Sequence, residues 1–116
     1  MFLLLFFPAL VESVWDGNYT CPNSNQPTMV EIEIVHRGVA NIQAVVRVDN
    51  QTITMDGTFY YSGRSVALAT PGIQFAGFLE DTGLGMHGAV VFYNGTGNIS
   101  CPATFTRAQG MQYFVL

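Results

Sequence analysis

The sequence predicts an all-β fold in which about eight antiparallel strands, connected in order, form a small barrel or a strongly curved sheet closed by one disulfide. Apolar and polar residues alternate with a period of two over segments of five to nine residues, which is typical of half-buried antiparallel strands. Turn-forming residues separate these segments. The only two cysteines, Cys21 and Cys101, lie near the ends of the predicted sheet, where a bond between them would join the first strand to the last.

Each predicted strand has one apolar face. Val30, Ile32 and Ile34, for example, alternate with Glu31 and Glu33. The predicted strands are residues 14–21, 29–36, 42–49, 53–61, 66–70, 73–80, 86–93 and 99–107. The turn signals between them are Arg37-Gly38, Asp49-Asn50, Ser62-Gly63, Pro71-Gly72, Asp81-Thr82-Gly83 and Asn94-Gly95. Because these connections are short, they favour a meander over Greek-key crossovers.

Glycine recurs inside the predicted strands and is followed two positions later by a large residue or by valine. Since glycine weakens a flat strand, this placement indicates sharp coiling, which favours a barrel over a flat sandwich. Pro102 removes one amide from the last strand, so imperfect or bulged closure is expected there. The recurrent glycines are Gly17, Gly57, Gly77 and Gly88.

The chain carries little charge, with 10% charged residues and a net charge of −4. It has no lysine, and its four arginines form no basic cluster, which argues against a nucleic-acid partner. N-linked glycans would keep so weakly charged a surface soluble. Four Asn-x-Ser/Thr sequons are present, beginning at Asn18, Asn50, Asn94 and Asn98.

The first residues indicate export. Residues 1–10 form an uncharged apolar run that is shorter than the about 20 residues needed to span a bilayer. We interpret residues 1–13 as a signal peptide removed after about Ser13, the alternative being a buried N-terminal strand or helix. Residues 14–110 then form a single β-domain without a membrane span. The apolar tail, 111–116, packs on the barrel, extends the last strand or reflects truncation.

A secreted, extracellular location makes a disulfide between Cys21 and Cys101 the expected state, with two free buried thiols as the alternative. Closing a loop of this size stabilises a fold by roughly 4–5 kcal/mol in the chain-entropy model.

The sequence predicts no catalytic, cofactor-binding or metal-binding residues, and therefore no enzyme. No G-x-S-x-G motif surrounds any serine. His36 and His87 are interpreted as structural residues rather than bases or ligands. Neither histidine has the short spacing to Asp56, Glu80 or Asp81 that a metal site requires.

Apolar residues also occupy the outward register of two neighbouring strands. If the sixth and seventh predicted strands form a hairpin, these side chains gather on one outer face, which is a candidate surface for an extracellular protein or glycan. A reversed register, or a second layer covering this face, is the alternative. The residues are Ala76, Phe78, Ala89, Val91 and Tyr93.

Three short motifs resemble a little-characterised extracellular β-domain of secreted bacterial and invertebrate proteins. They are Trp15-Asp16-Gly17-x-Tyr19-x-Cys21, Met55-x-Gly57-x-Phe59 and Cys101-x-x-x-Phe105-x-Arg107. The chain departs from that domain at residues 23–27, where a G-L-T-G-L-type segment would be expected. The resemblance implies an accessory or binding module without known catalysis. The Gly-x-aromatic opening strand also looks like calycin and avidin-type barrels.

The sequence favours a secreted, glycosylated binding or extracellular-matrix/adhesion module without catalytic activity. The alternative is a calycin-like carrier of a small apolar ligand. An eight-stranded barrel is either filled by side chains or holds one small ligand. The many medium and large inward residues favour a filled interior. The residues expected around a ligand are Ile32, Ile34, Met55, Phe59, Phe75 and Phe92.

Overall fold

A computed structural model of the chain describes residues 4–5, 12–60, 64–110 and 114–115, and within them every regular element is a β-strand. The strands are β1 (Leu4–Leu5), β2 (Ser13–Tyr19), β3 (Thr28–His36), β4 (Asn41–Val48), β5 (Gln51–Tyr60), β6 (Ser65–Thr70), β7 (Ile73–Leu79), β8 (Gly85–Asn94), β9 (Gly97–Gly110) and β10 (Phe114–Val115).

Strands β2 to β9 form a closed barrel in which each strand pairs antiparallel with the next, and β9 pairs with β2. The predicted meander of about eight strands is confirmed, and the choice between a barrel and a curved sheet is decided in favour of the barrel. β1 and β10 form a separate two-stranded pair. Most of the predicted signal peptide and tail, and the Ser62-Gly63 turn signal, lie outside the described residues. Ser13, at the predicted end of the signal peptide, is instead the first residue of β2 and is fully buried.

The period-two pattern places the apolar side chains inside the barrel. Ile32, Ile34 and Ala44 are buried, as the alternation predicts. On the outside of the same strands, Glu31 and Glu33 accept hydrogen bonds from the two terminal nitrogens of Arg47, at 2.9 and 3.4 Å. These cross-strand pairs are exposed, so they contribute little to stability compared with the burial of the apolar face.

Close approach between strands explains the recurrent glycines. A Cβ atom at Gly57 would overlap the backbone carbonyl of Ala67 on β6, and one at Gly88 would overlap the carbonyl of Ala76 on β7. Backbone groups cannot move aside as a flexible side chain can. The glycines therefore allow short strands to coil tightly enough for eight of them to close.

The disulfide lies beside the β2–β9 seam. Cys21 and Cys101 are bonded, with their Cα atoms 4.4 Å apart, which confirms the predicted pairing of the first barrel strand with the last. The amide of Thr20 donates to the carbonyl of Pro102 at 3.1 Å and continues the seam past the end of β2.

We expected the last strand to be bulged or irregular at Pro102, and the position of that prediction is wrong. Pro102 pairs with Ala89 in an unbroken register between β8 and β9. The register shift lies near the other end of the seam, between Val14 and Trp15 on β2, where β9 contains one extra residue. A missing amide is therefore tolerated within the ladder, whereas the closing strands need a bulge to turn around the large indole of Trp15.

Substitution of Gly57 tests the close approach. In an ordinary strand, Gly→Ala would gain about 0.5–1 kcal/mol of stability. Here, Gly57→Ala is expected to lower the free energy of unfolding by at least about 3 kcal/mol, because the methyl group overlaps the backbone of β6. Gly95→Ala is the matched control, since open space surrounds Gly95, and its effect should stay within about 0.5 kcal/mol. Urea denaturation would measure both, and equal effects would contradict the argument.

Removal of the disulfide tests how much the seam depends on it. The bond closes a sequence separation of 80 residues, for which the chain-entropy model gives a stabilisation of about 4.5 kcal/mol. The double variant Cys21→Ala/Cys101→Ala should lose most of this amount in urea denaturation, with the far-ultraviolet spectrum of a β-protein retained at low temperature. Unchanged stability of the double variant would show that strand pairing and core packing close the barrel without the disulfide.

Candidate functional site

The two ends of the barrel differ in how their interiors are filled. We call the end that carries the β3–β4, β5–β6 and β7–β8 connections the closed end, because large side chains occupy it. The end that carries the β2–β3, β4–β5, β6–β7 and β8–β9 connections is the open end. The fully buried Trp15 and Phe59, with Ile34 and Met86, fill the closed end.

Trp15 and Arg107 form the centre of the closed end. The indole Nε1 donates a hydrogen bond to the hydroxyl of Ser13 at 2.9 Å. The guanidinium of Arg107 lies 4.9 Å from the centre of the Trp15 ring, a distance at which the cation is attracted by the ring face. Arg107 is only 8% exposed, and this burial lowers the pKa of its guanidinium group. The arginine stem and the indole thus close this end with packing and a cation–π contact.

The histidines do not meet. His36 lies near the closed end, edge-on to Phe59 with 6.1 Å between ring centres, and burial lowers its pKa against the opposing effect of a backbone hydrogen bond at Gly38. His87 lies on the outer face of β8, with its Nδ1 3.8 Å from a carboxylate oxygen of Glu80. The structural interpretation of both residues stays a prediction.

The acidic residues considered for a metal site are dispersed in the same way. Asp56 accepts a hydrogen bond from Gln43, and Asp81 pairs with Arg64. Within the described residues, no three His, Cys, Asp or Glu side chains come together in a manner suited to a metal ion.

The open end contains a cavity of about 150 Å³ that reaches the solvent. Its deep lining is buried and apolar, including Met55, Leu68 and Phe105. Its mouth contains partly exposed aromatic and aliphatic residues, and the exposed Asp49 and Gln51. The remaining lining residues are Tyr19, Val30, Ile32, Val46, Val48, Ile53, Ile73, Phe75, Val90 and Phe92.

Four of the six residues expected around a ligand line this cavity: Ile32, Met55, Phe75 and Phe92. The other two, Ile34 and Phe59, are buried in the closed end, because their strands place them beyond the cavity floor. The expectation of a filled interior is therefore confirmed for the closed end and wrong for the open end. The alternation that places Ile32 inside also places Val46 and Val48 inside, so this signal could have found them.

The mouth is shaped by a tight hairpin. Val48 pairs with Gln51, which leaves Asp49 and Asn50 as a two-residue connection between β4 and β5. Both residues have positive φ, 49° and 64°, as a type I′ hairpin turn requires, and Asp and Asn tolerate this region better than most residues. The turn signal was evident in the sequence. That Asp49 lies beside a cavity was not, because only closure of the barrel creates the cavity.

The predicted partner surface lies on the outside of the β7–β8 hairpin. Phe78 and Tyr93 are 55% and 48% exposed, and Ala76 pairs with Ala89 between them. Val91 is partly exposed. The face also contains polar groups: the hydroxyl of Tyr93 donates to Gln74 at 2.9 Å, and the Phe78 ring lies 6.3 Å from the His87 ring. The outward register is as predicted, whereas a role in binding remains a prediction.

The four sequons share the open end. Asn50 and Asn94 lie on its hairpin turns, and Asn98 lies in the first residues of β9; all three are exposed. Asn18, near the end of β2, is half-buried. The Asn94 side-chain oxygen accepts hydrogen bonds from the amide and the hydroxyl of Thr96, at 3.0 and 2.9 Å, within its own sequon. Glycans at these positions would surround the mouth and leave the closed end bare.

Comparison with known proteins leaves the geometry as the basis for any functional argument. No protein-family model matches the chain, and no curated protein matches it either. Among the residues described, none belongs to a helix with the length and apolar character needed to cross a membrane.

Proposed function

We propose that the protein is an extracellular carrier that binds one small apolar ligand in the open-end cavity. The observation that carries this proposal is the cavity itself, which is about 150 Å³ in volume and apolar throughout its depth. A void in a core normally destabilises a protein because its lining loses dispersion contacts. A cavity that opens to solvent instead offers that apolar surface to a ligand.

The volume sets the size of the ligand. An engineered core cavity of about 150 Å³ lined by aliphatic and aromatic side chains binds benzene. A single six-membered ring, with a short substituent reaching the mouth, matches the space between Met55, Phe75 and Phe105. A long acyl chain would extend far into solvent, since Trp15 and Phe59 fill the barrel beyond the cavity.

The closed end supports this function by holding the barrel rigid. The Trp15–Arg107 contact and the fully buried core around it fix one end of every barrel strand. The ligand then meets a largely preformed site and orders few side chains on binding. A carrier needs only such a preformed apolar space and no catalytic group.

The extracellular location rests on other features. The disulfide, the four sequons around the mouth and the apolar N-terminal segment all favour export. Glycans would also compensate for the low surface charge.

Filling the cavity tests the carrier proposal. Val46→Phe places a benzyl group inside the open end, whereas Val45→Phe places the same group on the outer face of the same strand. Propylbenzene should bind the wild type and Val45→Phe saturably at one equivalent in calorimetric titration and raise their melting temperatures. Val46→Phe should fold and bind at least about tenfold more weakly, since the added ring occupies the ligand's space.

Absence of saturable binding to the wild type would contradict the carrier proposal. Equal binding by Val46→Phe and Val45→Phe would place the ligand elsewhere. If Val46→Phe does not fold, Ile53→Phe, at the partly exposed mouth, provides a second cavity-filling variant.

The binding or matrix-adhesion module is the second candidate, and the exposed Phe78 and Tyr93 favour it. An extracellular protein or glycan would recognise the outer face of the β7–β8 hairpin, where two large side chains flank the small Ala76–Ala89 pair. Such a mixed aromatic and polar face is typical of the rim and core of transient interfaces.

Substitution of Phe78 tests this face. Phe78→Asp should reduce retention on immobilised extracellular-matrix proteins or glycans by about tenfold without changing the melting temperature, because the ring is exposed. Met29→Asp, which alters an exposed apolar residue on β3 at the opposite side of the barrel, should leave retention unchanged. Retention of Phe78→Asp equal to that of the wild type would remove the surface from consideration, and collapse of folding would contradict its exposure.

A further inference from the structure

The polar groups of the open-end cavity are confined to its mouth. Among the fifteen described lining residues, Asp49 has the only charged side chain, and Gln51 and Tyr19 contribute an amide and a hydroxyl group. All other lining residues are apolar. A ligand in this cavity therefore has its apolar part surrounded by hydrocarbon, and any polar part lies near a carboxylate.

The positively charged side chains lie away from the cavity. The chain has no lysine, and its four arginines are engaged elsewhere. Arg47 is closest in sequence to Asp49, but it lies on the outer face and pairs with Glu31 and Glu33. Arg107 lies at the closed end against Trp15. Near the closed end, Arg37 donates a hydrogen bond to Gln43, and Arg64 forms an ion pair with Asp81.

The charge balance beside the mouth is negative. Arg47 offsets one of its two glutamates, so the cluster of Glu31, Glu33 and Arg47 has a net charge of −1, and Asp49 adds another negative charge. A ligand carboxylate would meet like charge without a compensating cation. A ligand cation would meet opposite charge.

The aromatic residues at the mouth also favour a positively charged ligand group. Tyr19 and Phe92 are partly exposed and lie with their ring centres 5.4 Å apart, tilted by 52°. Both rings line the cavity. Ring faces attract cations, although the attraction is weaker where the site is open to solvent, as it is at this mouth.

We propose that the preferred ligand is a single-ring arylalkylamine whose ring occupies the apolar cavity and whose ammonium group lies at the mouth beside Asp49. Among the lining residues, Asp49, Gln51 and Tyr19 are the ones whose side chains carry an acceptor for an ammonium donor. An alkyl arm separates ring and charge in such a molecule, so that the charge stays out of the apolar depth. This assignment rests on the proposed carrier function.

Asp49 is exposed, so its effect on affinity is modest. Exposed ion pairs change equilibrium constants by at most about two- to fivefold, and added salt reduces that effect. The burial of the ring provides most of the affinity, and the charge at the mouth provides the selectivity between ligands of equal size.

Three ligands with the same phenyl group test the assignment: 2-phenylethylamine, propylbenzene and 3-phenylpropionate. Titration at neutral pH and low ionic strength should show the amine binding more tightly than the carboxylate. Asp49→Asn should weaken amine binding about two- to fivefold, leave hydrocarbon binding unchanged and reduce the salt dependence. Asparagine tolerates the positive φ of this position, so the hairpin is retained.

Asp81→Asn is the matched control, because it removes the same charge from an exposed turn at the closed end. It should leave the affinities for all three ligands unchanged. Binding of the carboxylate equal to or tighter than that of the amine, or an unchanged amine affinity in Asp49→Asn, would overturn the amine assignment while propylbenzene binding kept the carrier proposal in place. Failure of all three ligands to bind would overturn the carrier proposal itself.

Discussion

The pairing of β2 with β9 is the contact on which the rest of the structure depends. Seven of the eight barrel interfaces join strands that follow one another in the chain, so they form with short loop closures. The eighth brings together residues about 90 positions apart, such as Trp15 and Arg107, at a much larger entropic cost. Without this pairing the sheet encloses no interior, and its apolar face remains exposed to water.

Several features of the chain act on this one seam. Gly17 removes a side chain where β2 approaches β9, and the extra residue of β9 near Trp15 lets the strands bend around the indole. The disulfide holds the seam at the open end, and the Trp15–Arg107 contact holds it at the closed end. Because these constraints lie at opposite ends, fraying from either end is opposed by a separate interaction.

Once the barrel is closed, its two ends are filled differently. Trp15, Phe59 and Met86 fill the closed end, whereas the open end, lined by valine and isoleucine together with Met55, Phe75 and Phe105, keeps a cavity of about 150 Å³. The packed core and the cavity thus lie in different halves of the same strands. The four sequons lie at the open end, so any glycans attached there would surround the mouth of the cavity and would not disturb the closed end.

Much of this architecture follows from the sequence alone, because it depends on local pattern. Alternation of residues such as Ile32 and Glu31 determines which face of a strand is buried, and pairs such as Asp49-Asn50 determine where the chain turns. The two cysteines indicate that the first and last strands meet. The outward register of Phe78 and Tyr93 also follows from alternation.

Only the tertiary structure decided which part of the interior is filled by side chains and which part is a cavity. Ile34 and Ile32 have the same inward register, yet one is in the filled half and the other lines the cavity, because their heights along the barrel differ. Asp49 is an ordinary turn residue in the sequence and becomes the charge at the mouth only when eight strands close around it. Local pattern specifies the direction in which a side chain points, whereas the space left in front of it depends on every other strand.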